Sequence, residues 1–366
     1  MTSSHIVQPD KIQAELNNLW SILENKNKVR ASLFNLIFYS KKSLRDEYVR
    51  KIAQKIIEKF PARIFFISSD VDSKEDKLTT AVSIMSAEHG EFDITCDFIE
   101  IATTSASEHQ VPFIIMPHIM ADLPIFLLWA EDPSLPSLLR EELEKIATRL
   151  IFDSETAKDL NEFAKAILAI KARSHCEIAD LNWARLESWR DLITTVFREE
   201  SQWKKLKKVR TIHLSYNAQE TLFFCHTRIQ SIYLQAWLAS RLHWTLCSSS
   251  HDTEKALFSY QNSEQQPITV FIEPQRHLTL PPGLVVTLDF SNDGKESFHF
   301  ERNLSALNEI SCSYSSSVQC ALPTKFLIAK GESGQSLVKE ICNKGTSQHY
   351  LEILTLLSQI KERGLC

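Results

Sequence analysis

Apolar positions along the first two hundred residues switch period repeatedly. Residues 10–25 carry Ile12, Leu16, Leu19, Trp20 and Leu23 three and four apart, the spacing of one helix face. The run 30-RASLFNLIFYS-40 then reads as a strand. A helix over 43–60 follows, opening with the capping pair Ser43 and Asp46 and burying Val49, Ile52, Ala53 and Ile56. Strands are predicted at 63–68, 79–85 and 93–101, the last two as a hairpin, and again at 125–130 and 149–153. Helices are expected near 136–147, 155–171 and 180–199. Strands without apolar–polar alternation, each followed by a helix, belong to a sheet covered on both faces. The pattern predicts an α/β N-terminal domain with a mixed sheet.

Past 203-WKKLKKVR-210 the order changes. Five basic residues in eight read as a solvated linker, placing a boundary between about 197 and 212 and domains at 1–200 and 201–366. A strand at 210–216 and a helix at 227–242 precede six extended segments, at 244–250, 255–261, 267–273, 284–290, 296–302 and 309–315. Between two of them 291-SNDG-294 is a hairpin turn, since Asp-Gly supplies the positive φ that a tight turn needs. Helices at 334–343 and 347–362 close the chain. This is a smaller α+β C-terminal domain with an antiparallel meander.

Composition narrows the function classes. The 366 residues exceed the size at which one core keeps growing, and 43% hydrophobic with 24% charged residues is ordinary for a globular protein. A net charge of −5 argues against a general nucleic-acid binder. No charged, then apolar, leader opens the chain. The best membrane candidate, residues 113–130, contains Pro117, His118, Asp122 and Pro124 and reads as two short core segments joined by a turn. A soluble, cytoplasmic protein is expected. Its eight cysteines form no CxxC and are expected to be reduced, with Cys366 the exposed one.

The search for catalytic chemistry finds little. Seven glycines make neither GxGxxG nor a Walker loop, and a diphosphate needs such glycines to approach the backbone. A turn at 330-KGESGQS-336 is the nearest phosphate candidate, and a plain helix start explains it equally. The twelve histidines show no metal spacing. The doublets His175-Cys176 and Cys225-His226 put neighbouring side chains on different faces. No catalytic, cofactor or metal residue is nominated.

What remains is aromatic and arginine-rich. The strand in 122-DLPIFLLWAEDP-133 ends on Trp129, Glu131 and Asp132. In 180-DLNWARLESWRDL-192, Trp189 joins Leu192, Ile193, Val196 and Phe197 in a core stripe, while Trp183, Arg185 and Arg190 cannot all share it. Trp and Arg most often anchor protein interfaces, so Trp129, Glu131, Trp183, Arg185 and Arg190 are candidate partner contacts. The plainer reading makes the indoles core and leaves the guanidiniums exposed or paired with Asp180, Glu187 and Asp191.

These segments, with 149-RLIFDS-154, 60-FPARIFFI-67 and 234-LQAWLASRLHW-244, resemble in order and spacing those of the OpcA family, the glucose-6-phosphate dehydrogenase assembly proteins. The resemblance covers nearly the whole chain and is weak from about 245 to 330. Ala62 stands where the family usually has Ser, and His243 where it has Gly. The resemblance implies a non-enzymatic assembly factor or allosteric activator whose partner is glucose-6-phosphate dehydrogenase. The competing reading is a sugar-phosphate enzyme or sensor with a site between the domains, holding phosphate with Arg63, Arg185 or Arg190.

Overall fold

A computed structural model of the chain describes residues 4–23, 28–89, 92–221, 226–251, 255–318, 320–328 and 334–360. Cys225, Cys366 and the start of the 330–336 turn lie outside the described residues. The chain forms two compact units, each assembled from three stretches. The first takes Met1–Asp153, Ala169–Leu181 and Ser333–Gly345; the second takes Ser154–Leu168, Asn182–Glu332 and Thr346–Cys366. Both are built on mixed sheets with helices.

In chain order the elements begin β1 (His5–Val7), α1 (Ile12–Leu23), β2 (Lys28–Arg30), β3 (Asn35–Lys41), α2 (Leu44–Ile57), β4 (Arg63–Asp70), β5 (Leu78–His89) and β6 (Phe92–Thr104). Next come α3 (Val111–Ile115), β7 (Ile125–Trp129), α4 (Leu138–Ile146), β8 (Arg149–Phe152), α5 (Leu160–Arg173) and β9 (Glu177–Asp180). The chain continues through α6 (Leu181–Arg185), α7 (Glu187–Val196), α8 (Glu200–Lys207), β10 (Thr211–Asn217) and α9 (Ile229–Arg241). Strands β11 (Thr245–His251), β12 (Ala256–Gln261), β13 (Pro267–Gln275), β14 (Val285–Asn292), β15 (Glu296–Arg302), β16 (Glu309–Ser316) and β17 (Thr324–Leu327) follow. Helices α10 (Gln335–Cys342) and α11 (Gln348–Leu357) end it.

The sheet of the first unit runs β1-β5-β6-β4-β3-β7-β8-β9, with β2 beside β6. From β6 to β9 every pairing is parallel, while β5 folds back on β6 as an antiparallel hairpin. Strands β3 and β4 are buried along nearly their whole length, on both faces, as strands inside a covered parallel sheet are. Phe38, Ile64, Phe66 and Phe98 of the sheet pack with Val49, Ile52 and Ile56 of α2 and with Leu337 of α10. The returning segment is tied down by Arg149. Its Nη2 lies 2.5 Å from Glu340 Oε2, and its Nη1 donates to Glu177 at 2.9 Å and to the carbonyls of Asn343 and Gly345. Gly334 caps α10 at φ 81, where a Cβ would stand 3.0 Å from that of Lys55.

The second unit carries the sheet β11-β12-β13-β10-β14-β15-β16-β17, antiparallel except for β10 on β13. Here burial alternates along the strands, so one face is core and the other is half-exposed. Phe197 fills the core face, its ring 4.8 Å from Phe298 and 5.5 Å from Phe290. Asp293 and Gly294, at φ 46 and 72, form the expected tight turn between β14 and β15.

Two local readings change. Residues 177–180, left between two expected helices except for Asp180 at the start of the second, pair with β8 as β9, and the helix beyond breaks at Leu186 into α6 and α7. The basic run at 203–210, read as a linker, largely belongs to α8, and Leu206 and Val209 are buried.

Candidate functional site

Strand order reverses between β3 and β7. Strands β4 and β6 lie to one side of β3, and β8 and β9 beyond β7. In open parallel sheets the crevice for a ligand lies past the carboxyl ends of the strands at such a switch point, and this order is the one that holds dinucleotides. Sequence pattern gave no sign of that order, because its usual marker is the glycine turn after the first strand.

That turn is here Ser40-Lys41-Lys42-Ser43. Its groups are committed to the protein itself. The Lys42 N–H donates to Ser69 O at 2.8 Å, and its ammonium lies 3.1 Å from the carboxylate of Asp70 at the end of β4. The hydrogen bond from Lys42 holds the Asp70 carboxyl below its ordinary value. The Lys41 N–H donates to Glu131 Oε1 at 3.0 Å.

Tyr39 and Trp129 pair in register at the ends of β3 and β7, and their rings stack 3.9 Å apart at 3°. Trp129 is only 2% exposed, so the indole is floor and offers a visitor little area. The Tyr39 hydroxyl donates to Glu108 Oε1 at 2.8 Å, and Ser69 Oγ donates to the same oxygen at 2.5 Å. Burial, then the nearby Glu108 charge, pushes the Tyr39 hydroxyl far above its ordinary pKa, which keeps it a donor. Above this floor opens a cavity of about 630 Å³, with Val71, Phe113 and Leu138 on its rim and Glu108, Glu131, Asp132 and Glu142 among its walls. Phe113 is 75% exposed and Leu138 80%. Both escaped the sequence reading. Residues 113–118 looked like core, yet only Ile114 and Ile115 go inward there, while Phe113 and Met116 face out.

The remaining candidates lie elsewhere. Arg63 is buried, donating through Nε and Nη2 to Asp97 Oδ2 at 3.0 and 2.6 Å and through Nη1 to the His118 carbonyl. Arg30 and the Trp20 indole also donate to Asp97. Burial raises the Asp97 carboxyl, but the Arg63 charge and these hydrogen bonds outweigh it and hold the carboxyl low. In the second unit Trp183 is 5% exposed, its ring 5.8 Å from Tyr350. Arg190 lies over that ring at 3.5 Å and donates to the Trp183 carbonyl. The break at Leu186 turns Trp183 inward, off the stripe of Trp189, Leu192, Ile193 and Phe197. Arg185 donates to Asn182 Oδ1 at 2.7 Å and lies 3.8 Å from Glu155, whose neighbour Ser154 accepts from Asn182. These three guanidiniums are thus engaged within their own units.

A second cavity, of about 730 Å³, is lined by Glu144, Arg173, His175 and Cys176. The Cys176 thiol donates to the carbonyls of Glu144 and Ala147, and burial raises its pKa, which favours the thiol over the thiolate. Among the described residues no group of three His, Cys, Asp or Glu side chains is placed to hold a metal ion, and no helix is long and apolar enough to cross a membrane.

Two family models match this chain in tandem. They describe a glucose-6-phosphate dehydrogenase subunit N-terminal domain, over residues 53–169, and the corresponding C-terminal domain, over 176–324. The chain belongs to the OpcA family. Curated relatives named OxPP cycle protein OpcA include one from Nostoc punctiforme, 25% identical over 53% of this chain and 40% of its own length. Another, from Synechocystis sp., is 25% identical over 55% of this chain and 41% of its own. The alignments therefore span about two fifths of those relatives. Among solved structures, the 3-ketoreductase KijD10 from Actinomadura kijaniata, in complex with NADP and TDP-benzene, superposes with a TM-score of 0.52. At 7% identity, over 92% of this chain and 97% of that one, the likeness is one of fold. It agrees with the strand order and carries no activity across.

Proposed function

We propose that this OpcA family chain is a non-enzymatic partner of glucose-6-phosphate dehydrogenase, acting in the oxidative pentose phosphate pathway by binding the enzyme and favouring its active assembly. Family membership carries the reading, and the switch-point geometry supports it. A turn of Ser40-Lys41-Lys42-Ser43, closed by the Lys42–Asp70 pair, leaves no glycine backbone for a pyrophosphate to approach. Such a partner raises activity only by holding the active form more tightly than the inactive one. The rival sugar-phosphate reading draws on Arg63, Arg185 and Arg190, and their engagement with Asp97, Asn182 and Trp183 weighs against it.

Size-exclusion chromatography of this chain mixed with the dehydrogenase of its own organism tests the reading, run beside an assay of the chain alone. Co-elution, with no turnover of glucose 6-phosphate and no NADP binding by the chain alone, is the expected result. Separate elution, or micromolar NADP binding at one site, contradicts it.

A further inference from the structure

The crevice past β3 and β7 has a chemistry of its own. Among the acidic and basic side chains on its wall, Lys41 and His109 stand against Glu108, Glu131, Asp132 and Glu142. Lys41 is committed, its ammonium 3.5 Å from Glu131 Oε2. Glu108 receives Tyr39 and Ser69, both neutral donors, and forms no ion pair among the described residues. The crevice is therefore acidic, and a phosphate entering it meets carboxylates. Its rim is the opposite of acidic. Phe113 on α3 and Leu138 on α4, two helices that pack together, expose most of their side chains, and Val71 at 40% joins them.

An apolar rim over an acidic hollow fits a particular kind of guest. A dinucleotide brings negative charge and needs donors, and a plain apolar helix leaves the Glu108 charge desolvated with no countercharge. A side chain that is both apolar along its stem and cationic at its tip satisfies both parts. We infer that this crevice is the docking site for a segment of the protein partner that presents a lysine or arginine beside an apolar residue. The apolar residue lies against Phe113 and Leu138, and the cation reaches toward Glu108 and toward Glu142, which otherwise holds Lys145 of its own helix at 2.7 Å. The identity of the partner as the dehydrogenase rests on the function proposed above; the chemistry of the segment rests on the crevice.

The exposed rim makes the test clean, because Phe113→Ser, Leu138→Ser and Glu142→Lys alter surface side chains and leave the core alone. Each variant and the wild type are titrated with the dehydrogenase from the same organism by biolayer interferometry, at low and high salt, with melting temperature as the folding control. Phe113→Ser and Leu138→Ser are expected to weaken binding by about thirtyfold, the level that marks an interface anchor. Glu142→Lys is expected to slow association and to reduce its salt dependence. If the wild type binds and all three variants bind within about twofold of it, a margin far below an anchor's effect, the crevice is not the dock, while the functional reading stands. If the wild type does not bind the dehydrogenase at all, that reading falls and takes this inference with it.

Discussion

His243 occupies the left-handed region, at φ 54, directly after α9. Its N–H donates to Ser240 O and the Trp244 N–H to Ala239 O, the two bonds of a Schellman cap. That geometry asks for glycine, the residue usual at this position in the family. A side chain there costs about 1–2 kcal/mol. His243→Gly should therefore stabilise the protein by about 1 kcal/mol, read as a raised melting temperature. Asp97 is the converse case, a residue that holds strain off others. Removing one member of a buried pair costs about 3–5 kcal/mol, so Asp97→Asn, which leaves Arg63 unpaired, should destabilise by that amount at pH 7. The sign of the pH dependence follows from its lowered pKa. The carboxylate's contribution is complete above the ordinary value of about 3.9 and is lost as the pH falls through the lower folded value. Denaturant melts should accordingly show wild type and variant far apart at pH 7 and converging below about pH 3.9. Equal stability at pH 7 would mean that Arg63 finds another partner.

Among the elements, α8 carries the clearest consequence. Lys204, Lys205, Lys207, Lys208 and Arg210 read as a linker because charge dominates their composition. The helix instead folds Leu206 inward, with Val209 buried just past its end, and Lys205 covers the Tyr314 ring at 3.9 Å. Native-state trypsin should leave Lys204–Arg210 uncut while exposed basic sites elsewhere are cleaved; early cleavage there would show a frayed helix. The same element shows why parts of the fold were legible and parts were not. Residues 35–41, 63–70 and 125–129 announce themselves as strands because burial on both faces demands continuous apolar runs. The four residues of β9 did not, since so short a run ahead of the helix expected from 180 carries too little pattern of its own, and pairing with β8 makes Glu177–Asp180 extended. The strand order β6-β4-β3-β7-β8-β9 left no residue signature either, once its glycine turn was gone. At the candidate site, sequence reached Trp129 and Glu131, at the right end of the right strand. It missed Tyr39, Glu108, Phe113 and Leu138, which converge only through that order.

At the scale of the molecule, a dinucleotide-type sheet has its crevice floored by a Tyr–Trp stack and lined with carboxylates, in a chain whose family models describe glucose-6-phosphate dehydrogenase subunit domains. The use proposed for such a chain is to bind and bias another protein. The most direct measurement is the initial rate of the dehydrogenase from the same organism, at fixed glucose 6-phosphate and NADP, titrated with this chain while complex formation is followed by mass photometry. The account predicts that rate and complex rise together and saturate at one fixed stoichiometric ratio. A rate that stays flat across the titration, with no complex at any ratio, would contradict it.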